Sequence, residues 1–390
     1  MRTALAGLLF RLLTRRMPLR VAYPRKSVTG APGPTLVVRR PRELYRRLGA
    51  AGEIGFGEAY QAGDWDSDDL PGVLTAIATG LAGIAPRVQQ RVWRLRRMRP
   101  PRAEEGTPDA ARSNAERHYD LSNEMFASFL DRSMTYSSAL FEDRDSDLTE
   151  AQHRKIDRLL DVTGVGAGSR VLEIGTGWGE LAIRAALRGA HVVSVTLAPR
   201  QRSLALERIA AAGVADRVEV RLCDYRAIEA VPGGFDAVVS VEMIEAVGYD
   251  WWPAFAAAVL GHLRPGGRAG IQMITTDHDR MLATVNTYTW IQKYIFPGGL
   301  IPSAEAITSA FTAAGATVVE RFDFGSWHYA ETLRRWRTAS SFDRTWNYYL
   351  AFCEAGFTAG YLDVCQLVVS PVRATDRCPP HGDVSRRIDP

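Results

Sequence analysis

Residues 171–181 read VLEIGTGWGEL. An apolar run ends in three glycines, Gly175, Gly177 and Gly179, and a helical pattern begins directly after them. Glycine accepts positive φ angles and has no Cβ to hold a ligand away from the main chain. The stretch therefore predicts a tight strand–turn–helix connection at which a bound molecule approaches the backbone.

The pattern around this turn indicates the fold. From residue 150 onward, short apolar strands alternate with helices, which predicts an α/β doubly wound, Rossmann-like sheet with right-handed crossovers. The first strand–helix turn of such a sheet is the usual cofactor crevice. We predict a small N-terminal domain over 1–100, a main domain over 101–372 with a helical insert at about 281–312, and a disordered tail over 373–390.

Composition excludes several classes of protein. A net charge of +4 over 390 residues argues against a dedicated nucleic-acid binder, and the four cysteines form no CxxC pair, so we predict no metal site and no disulfide framework. A cytoplasmic location fits these cysteines, and no apolar run is long enough for a membrane span. The opening MRTALAGLLFRLLTRRM is either an amphipathic helix with basic flanks or an ordinary packing helix. The Arg-rich segment 87–102 is either a lipid-headgroup contact or a solvated helix face.

The spacing of the glycines narrows the choice of cofactor. The pattern is GxGxG, which departs from the dinucleotide spacing, and the next strand ends VTLAP without the acidic residue expected at a nicotinamide ribose. The loop is more like that of an S-adenosylmethionine (SAM) methyltransferase. Asp224, after the third strand, is placed to accept a hydrogen bond from the adenine amino group, with Tyr225 beside the ring; the alternative for Asp224 is a helix N-cap.

Longer motifs carry a family resemblance. HYDLSNEMFASFLDRSMTYSSALFED at 118–143, SVEMIEAVG at 240–248 and HYAETLRRW at 328–336 resemble the cyclopropane fatty acid synthase and mycolic acid methyltransferase family. The resemblance covers roughly residues 45–372. IGFGEAYQAGDW at 54–65 resembles the small domain of the phospholipid-acting synthases, which the mycolic enzymes lack.

The resemblance implies a site and a substrate. By the resemblance, Tyr136 and Ser137 would contact the methionine end of SAM, which Gly175, Gly177 and Gly179 would line. Thr196 and Gln201 would lie near the ribose, and Asp224 and Tyr225 near the adenine. The methyl acceptor would be a cis double bond in a phospholipid acyl chain, and its methylation would leave a carbocation on that chain. Aromatic faces stabilise cations, and the aromatic candidates for the acyl site are Tyr119, Phe126, Tyr288, Trp290, Tyr294 and Phe296. The alternative for any one of these is a core aromatic.

One ligand set departs from the family pattern. Cyclopropane synthases of this family hold a bicarbonate ion that removes a proton from the methylated cation. The family's Glu and Tyr ligands match Glu245 and Tyr329, whereas its Cys position is Ser138 and its His position is Gln272. The anion site is therefore altered, although Ser and Gln still donate hydrogen bonds.

Two outcomes of this change stay open. Either bicarbonate still binds and a cyclopropane forms, or a side-chain carboxylate, Glu142 or Glu245, acts as the base and a methylene branch forms. A flavin- or NADPH-using reductase would then reduce the branch to a methyl group. The variant motifs resemble the subgroup that makes methyl-branched, tuberculostearic-type acids. A non-catalytic lipid-binding homologue is the alternative outside enzymes. We expect peripheral binding at the inner membrane face and, from the resemblance, a homodimer.

Overall fold

The computed structural model describes residues 2–24, 28–82, 101, 107 and 122–372. The predicted Arg-rich linker (apart from Pro101), Tyr119 and the predicted tail lie outside the described residues. None of the helices in the described part of the chain combines the length and hydropathy that crossing a bilayer requires.

The N-terminal part has its own small sheet. Its elements are α1 (Arg2–Thr14), β1 (Arg20–Ala22), β2 (Val28–Gly30), β3 (Thr35–Val38), α2 (Pro41–Ala51), α3 (Glu53–Gln61), β4 (Trp65–Asp66) and α4 (Leu70–Ala82). The strands are ordered β2-β1-β3-β4, and only β1 and β3 run parallel. Helix α1 packs along α2, and α4 covers the sheet.

The second sheet has seven strands. The elements from residue 122 onward are α5 (Asn123–Ala127), α6 (Leu148–Val162), β5 (Arg170–Ile174), α7 (Glu180–Leu187), β6 (His191–Thr196), α8 (Pro199–Ala211), β7 (Val218–Leu222), β8 (Phe235–Val241), α9 (Trp252–His262), β9 (Leu263–Thr276), α10 (His278–Thr284), α11 (Trp290–Tyr294), α12 (Ala304–Ala313), β10 (Ala316–Asp323), α13 (Trp327–Ala339), α14 (Arg344–Thr358) and β11 (Leu362–Pro371).

The strand order places the glycine turn at the switch point. The order is β10-β11-β9-β8-β5-β6-β7, so β5 lies between β6 and β8 and the connections leave it in opposite directions. Ligands of doubly wound sheets bind at this position, outside the carboxyl ends of the strands. The predicted α/β doubly wound class is confirmed. The last strand, β11, is antiparallel to both neighbours, β9 and β10.

The N-terminal part docks on the helical insert and on α14. The guanidinium of Arg344 donates to the carbonyl oxygens of Tyr60 (2.7 Å) and Trp65 (3.1 Å). The indole N–H of Trp290, on α11, donates to Oε1 of Gln61 at 3.1 Å. These contacts join α3 and β4 to elements that flank the large sheet. Buried residues of the two parts also form one hydrophobic core.

Candidate active site

The glycine turn has space above it. Gly175, Gly177 and Gly179 all have positive φ angles, of 103°, 52° and 91°. A Cβ on Gly177 would meet no atom within 4 Å, whereas one on Gly179 would lie 3.2 Å from Cβ of Ala205. Gly179 is therefore required by helix packing, and Gly177 is where the backbone is open to a ligand.

The ends of β6 and β7 lie beside this turn. The hydroxyl of Thr196 accepts from the backbone N–H of Ala198 at 3.1 Å and donates to Oε1 of Gln201 at 3.5 Å, so Thr196 and Gln201 lie together; their contact with a SAM ribose stays a prediction. Asp224 caps the turn at 225–227 and pairs with Arg226 at 2.7 Å, which favours ionisation and lowers the pKa of its carboxyl. The capping role that the sequence left open for Asp224 is thus present.

Tyr225 is largely buried. Its ring packs edge-on against Phe255, 5.3 Å away between ring centres, within a hydrophobic cluster. Its position beside an adenine ring stays a prediction. The open turn at Gly177 follows β5, and the ionised Asp224 follows β7. These two positions fit a SAM molecule that extends across the carboxyl ends of the strands.

A buried carboxylate that the sequence analysis missed lies at the end of β8. Oε1 of Glu242 accepts from the backbone N–H of Ser138 and from Nε2 of Gln272, both at 2.9 Å, and the hydroxyl of Tyr329 donates to the same carboxylate. Gln366 donates to Oε1 of Gln272 at 3.1 Å, which turns the Gln272 amide nitrogen towards Glu242. Positions 138, 272 and 329 are three of those that the resemblance assigns to bicarbonate.

The backbone of Glu242 is in an unusual conformation. Its φ is 49°, one of two positive φ angles at non-glycine residues of the described chain. For an L-residue this left-handed region costs roughly 1–2 kcal/mol. The three donors hold the carboxylate, and so the residue, in place despite that cost.

Ser138 contributes its backbone and not its side chain. Its hydroxyl donates to the carbonyl oxygen of Ala139 at 3.1 Å, while its N–H bonds Glu242. The prediction that the Ser138 hydroxyl replaces a cysteine ligand is therefore corrected. A backbone donor is independent of which side chain stands at this position.

Glu245 forms the second half of a carboxylate pair. Its Oε1 accepts from the backbone N–H of Ile274 at 2.6 Å, and its Oε2 is buried with no hydrogen-bond partner among the described residues. Burial, and next the nearby charge of Glu242, raise the pKa of Glu245 to about 8. The pair thus combines a carboxylate held by three donors with one poised to take up a proton near neutral pH.

Lys155 supplies the positive charge near the pair. It is fully buried on α6, and its Nζ donates to the hydroxyl of Ser137 at 2.5 Å and to the carbonyl oxygen of Ser138 at 2.9 Å. Burial lowers the pKa of Lys155 to about 8, while the Glu242 and Asp131 carboxylates oppose that shift. Ser137, predicted at the methionine end of SAM, is thereby placed in the buried layer behind the pair.

Both missed residues had a signal in the sequence. Glu242 directly follows the apolar run FDAVVSV, so it stands at the carboxyl edge of a buried strand beside β5. Lys155 is one of three lysines in a chain whose other basic residues, histidines aside, are all arginines. A lysine carries a compact ammonium whose pKa shifts readily on burial, which an arginine does not offer.

Glu142 is not part of this cluster. Its side chain is 74% exposed and pairs with Arg154 at 2.9 Å. The prediction that it faces an apolar cavity as a base is corrected, since its side chain lies in solvent.

The aromatic candidates separate into two groups. Tyr136 shares a 2.7 Å hydrogen bond with the hydroxyl of Tyr349, whose ring lies 5.8 Å from Phe296. Phe126 is buried against Tyr136, with ring centres 5.2 Å apart, and Tyr288 packs against the same cluster. The acyl-site candidates Phe126, Tyr288 and Phe296 thus belong to one hydrophobic cluster, together with Tyr136.

Trp290 and Tyr294 belong to the second group. The Trp290 ring presses on Gly57, where a Cβ would lie 2.4 Å away, and the Tyr294 hydroxyl donates to Glu58 at 2.9 Å. Their prediction as acyl-site residues is corrected, because both side chains face the N-terminal part.

Known proteins share this arrangement of sequence and fold. The family model described as mycolic acid cyclopropane synthetase matches residues 107–367. The chain is 50% identical to the tuberculostearic acid methyltransferase UfaA1 of Mycobacterium tuberculosis, over 93% of this chain and 90% of that protein. It is 30% identical to the cyclopropane-fatty-acyl-phospholipid synthase of Escherichia coli, over 88% and 90%.

A solved structure agrees. The mycolic acid cyclopropane synthase CmaA1 in complex with SAH and CTAB superposes with a TM-score of 0.60 and 29% identity, covering 66% of this chain and 97% of that one. The glycine turn at the switch point of the sheet is thus explained by common descent, and the chain belongs to the mycolic acid cyclopropane synthetase family as a SAM-dependent methyltransferase.

Proposed function

We propose that the protein transfers the methyl group of SAM to a cis double bond in an unsaturated phospholipid acyl chain and releases a methylene-branched chain. Two similarities support this proposal. The 50% identity to UfaA1 favours a branched product. A phospholipid substrate is favoured because the match to the phospholipid synthase extends into the N-terminal part, whereas CmaA1 covers only 66% of this chain. The observation that carries the proposal is the Glu242–Glu245 pair.

Bound SAM supplies an electrophilic methyl group. The π electrons of the alkene form the new C–C bond as the S–CH₃ bond breaks, which leaves a positive charge on the other alkene carbon. Preorganised negative charge is the strongest stabiliser of such a cation in a water-poor site. Burial raises the pKa of Glu242, but the charge of Lys155 and the three donors to Glu242 oppose that shift and favour the ionised form that this task needs.

Glu245 is the base in this proposal. A 1,2-hydride shift moves the cation to the methylated carbon, and loss of a proton from the new methyl group then gives the methylene branch. The proton goes to Oε2 of Glu245, the buried oxygen with no partner among the described residues. A pKa of about 8 is close to that of an effective general base at neutral pH. Cyclopropanation would lose the same proton but close a ring.

Bicarbonate is not needed in this scheme. The Ser138 N–H, Gln272 and Tyr329 already donate to Glu242, so a free anion would compete with a carboxylate that cannot leave. The product alkene would pass to a flavin- or NADPH-using reductase, which adds two electrons and two protons to give the methyl branch. We place the enzyme as a peripheral, homodimeric protein at the inner membrane face.

Product analysis tests the proposal. Labelled SAM and oleoyl phospholipid vesicles are incubated with the protein, and the fatty acid methyl esters are examined by mass spectrometry. We expect a methylene-branched product, made on the order of 10²–10⁴ times more slowly by Glu245→Gln and at nearly the wild-type rate by Glu142→Gln. Absence of label in the lipid refutes the substrate, and a cyclopropane product refutes the branching chemistry.

The cofactor site is tested by a glycine pair. Gly177→Ala and Gly213→Ala place a Cβ at similar positive φ angles, 52° and 71°, and neither Cβ meets a protein atom within 4 Å. Both should therefore cost similar stability. Only Gly177→Ala should weaken SAM binding in calorimetry, and equal SAM affinities for the two variants would contradict the placement of SAM over the turn.

A further inference from the structure

Helix α1 presents an apolar face to solvent. Leu5, Leu8, Leu9 and Leu12 are each between 44% and 55% exposed, and their spacing of three, four and seven residues puts them on one face. A run of exposed leucines at this spacing forms a continuous apolar stripe, which soluble surfaces rarely carry without a partner. We call these four side chains the leucine face.

The opposite side of α1 is fixed to the protein. Gly7 lies against the ring of Tyr45 on α2, where a Cβ would come within 2.8 Å, and the ring of Phe10 lies 5.8 Å from that of Tyr45. Ala6 and Phe10 are buried. The helix is therefore apolar on both sides, with one side packed and the other left outside.

The surroundings of the leucine face are strongly basic. Exposed arginines stand at the start of the helix and just after it, at Arg2, Arg15, Arg16 and Arg20, whereas the guanidinium of Arg11 is directed to Tyr45 on the packed side. The first acidic residue of the sequence is Glu43, so nothing within residues 1–42 offsets this charge. An apolar stripe rimmed by arginines is complementary to a surface with an anionic outer layer and a hydrocarbon interior.

We infer that the leucine face docks the enzyme on an anionic phospholipid membrane, with the leucines entering the acyl region and the arginines contacting headgroup phosphates. This inference rests on the proposed lipid substrate. A second copy of the chain would bring two basic surfaces together, and like-charge repulsion opposes that contact. An anionic membrane instead neutralises the same arginines.

The contacts of the N-terminal part connect this docking to the acyl site. Helix α1 packs on α2, and α3 bonds α11 of the insert through Gln61 and Trp290. Membrane contact at α1 therefore holds the insert in a fixed relation to the bilayer from which the acyl chain must come.

Vesicle flotation of the full-length protein without SAM tests the inference. The test variant is the triple Leu5→Ala/Leu8→Ala/Leu12→Ala, which keeps helix propensity and leaves the packed side of α1 intact. Its matched control is Leu187→Ala/Leu282→Ala, which removes two leucines that are 63% and 49% exposed elsewhere. We expect the triple variant to partition onto phosphatidylglycerol-containing vesicles on the order of tenfold less than wild type, and the control to partition like wild type.

Three results would overturn the inference. The first is equal flotation of the triple variant and wild type. The second is that wild type floats equally well with pure phosphatidylcholine vesicles and with phosphatidylglycerol-containing vesicles, or that salt has no effect on its flotation. In either case the arginines play no part. The third is a halved mass of the triple variant by light scattering, which assigns the leucine face to a second copy of the chain.

Turnover separates this inference from the proposed function. On oleoyl lipid dispersed in detergent, where no bilayer has to be reached, the triple variant should match wild type. If wild type modifies neither vesicles nor dispersed lipid, the proposed function fails, and the flotation result still decides the docking surface.

Discussion

Replacing Glu242 with glutamine should move the pH dependence of catalysis. In the wild type, burial and the charge of Glu242 raise the pKa of Glu245 to about 8. At pH 7 about one tenth of Glu245 is then ionised, and at pH 9 about nine tenths. If ionised Glu245 is the base, kcat/KM rises about tenfold between these two pH values and levels off above them.

The Glu242→Gln variant removes the like charge and keeps the shape of the side chain. The amide oxygen of the substituted side chain can still accept from the Ser138 N–H, so the site should remain assembled. Loss of the negative charge lowers the pKa of Glu245, by about one unit for a close pair of carboxylates. The ionised fraction of Glu245 at pH 7 then rises to about one half, and the rising limb of the profile shifts about one unit towards acid while its plateau falls.

The assay is the initial rate of label transfer between pH 6 and 9.5. The position of the limb is read separately from the plateau, so a slower variant is still informative. Glu245→Gln should retain a low rate with no limb near pH 8. A limb that persists in Glu245→Gln would assign it to Lys155, whose pKa lies in the same range, and an unmoved limb in Glu242→Gln would refute the coupling of the two carboxylates.

Three further predictions concern stability. Burial raises the pKa of Glu173 to about 8, so its neutral form is favoured in the fold. The free energy of unfolding therefore declines by on the order of 4 kcal/mol as pH rises from 4.5 to 8. Glu173→Gln should remove this decline, so in urea unfolding the variant should be more stable than wild type at pH 9 but not at pH 4.5. Lys155→Met removes the positive charge that interacts with Glu242 and should cost about 3–5 kcal/mol by urea unfolding at pH 7. An effect below 1 kcal/mol would contradict that electrostatic interaction. Trp290→Ala leaves a cavity at a fully buried site and should lower the free energy of unfolding by about 3–5 kcal/mol in the same assay. The control Tyr294→Phe should show no comparable loss.

The sequence was most informative where chemistry and periodicity are local. The strand, turn and helix at 171–187 follow from adjacent residues, and the cap at Asp224 from a polar residue directly after a strand. The pairing of the Ser138 N–H with Glu242 spans 104 residues, and no local pattern encodes it. This contact depends on the tertiary fold, which brings the end of β8 beside the loop that precedes α6.

The direction of side chains was the second gap. Trp290 and Tyr294 lie on one short helix, but their sequence pattern does not tell which neighbour an apolar helix face meets. The N-terminal part supplies that neighbour, because α3 offers Gly57 as a flat seat and Gln61 as a hydrogen-bond acceptor. Aromatic residues with a polar tip satisfy such an interface as readily as they would line an acyl site.

If Glu242 takes the place of bicarbonate, as we propose, its left-handed backbone has a physiological consequence. An anion drawn from solution is present only in proportion to its concentration, whereas one anchored to the main chain is always at full occupancy. An enzyme built this way would keep its rate in medium stripped of dissolved carbon dioxide, at the fixed expense of one contorted residue. Under that proposal, lipid methylation by this enzyme would not depend on the carbon dioxide content of the surroundings.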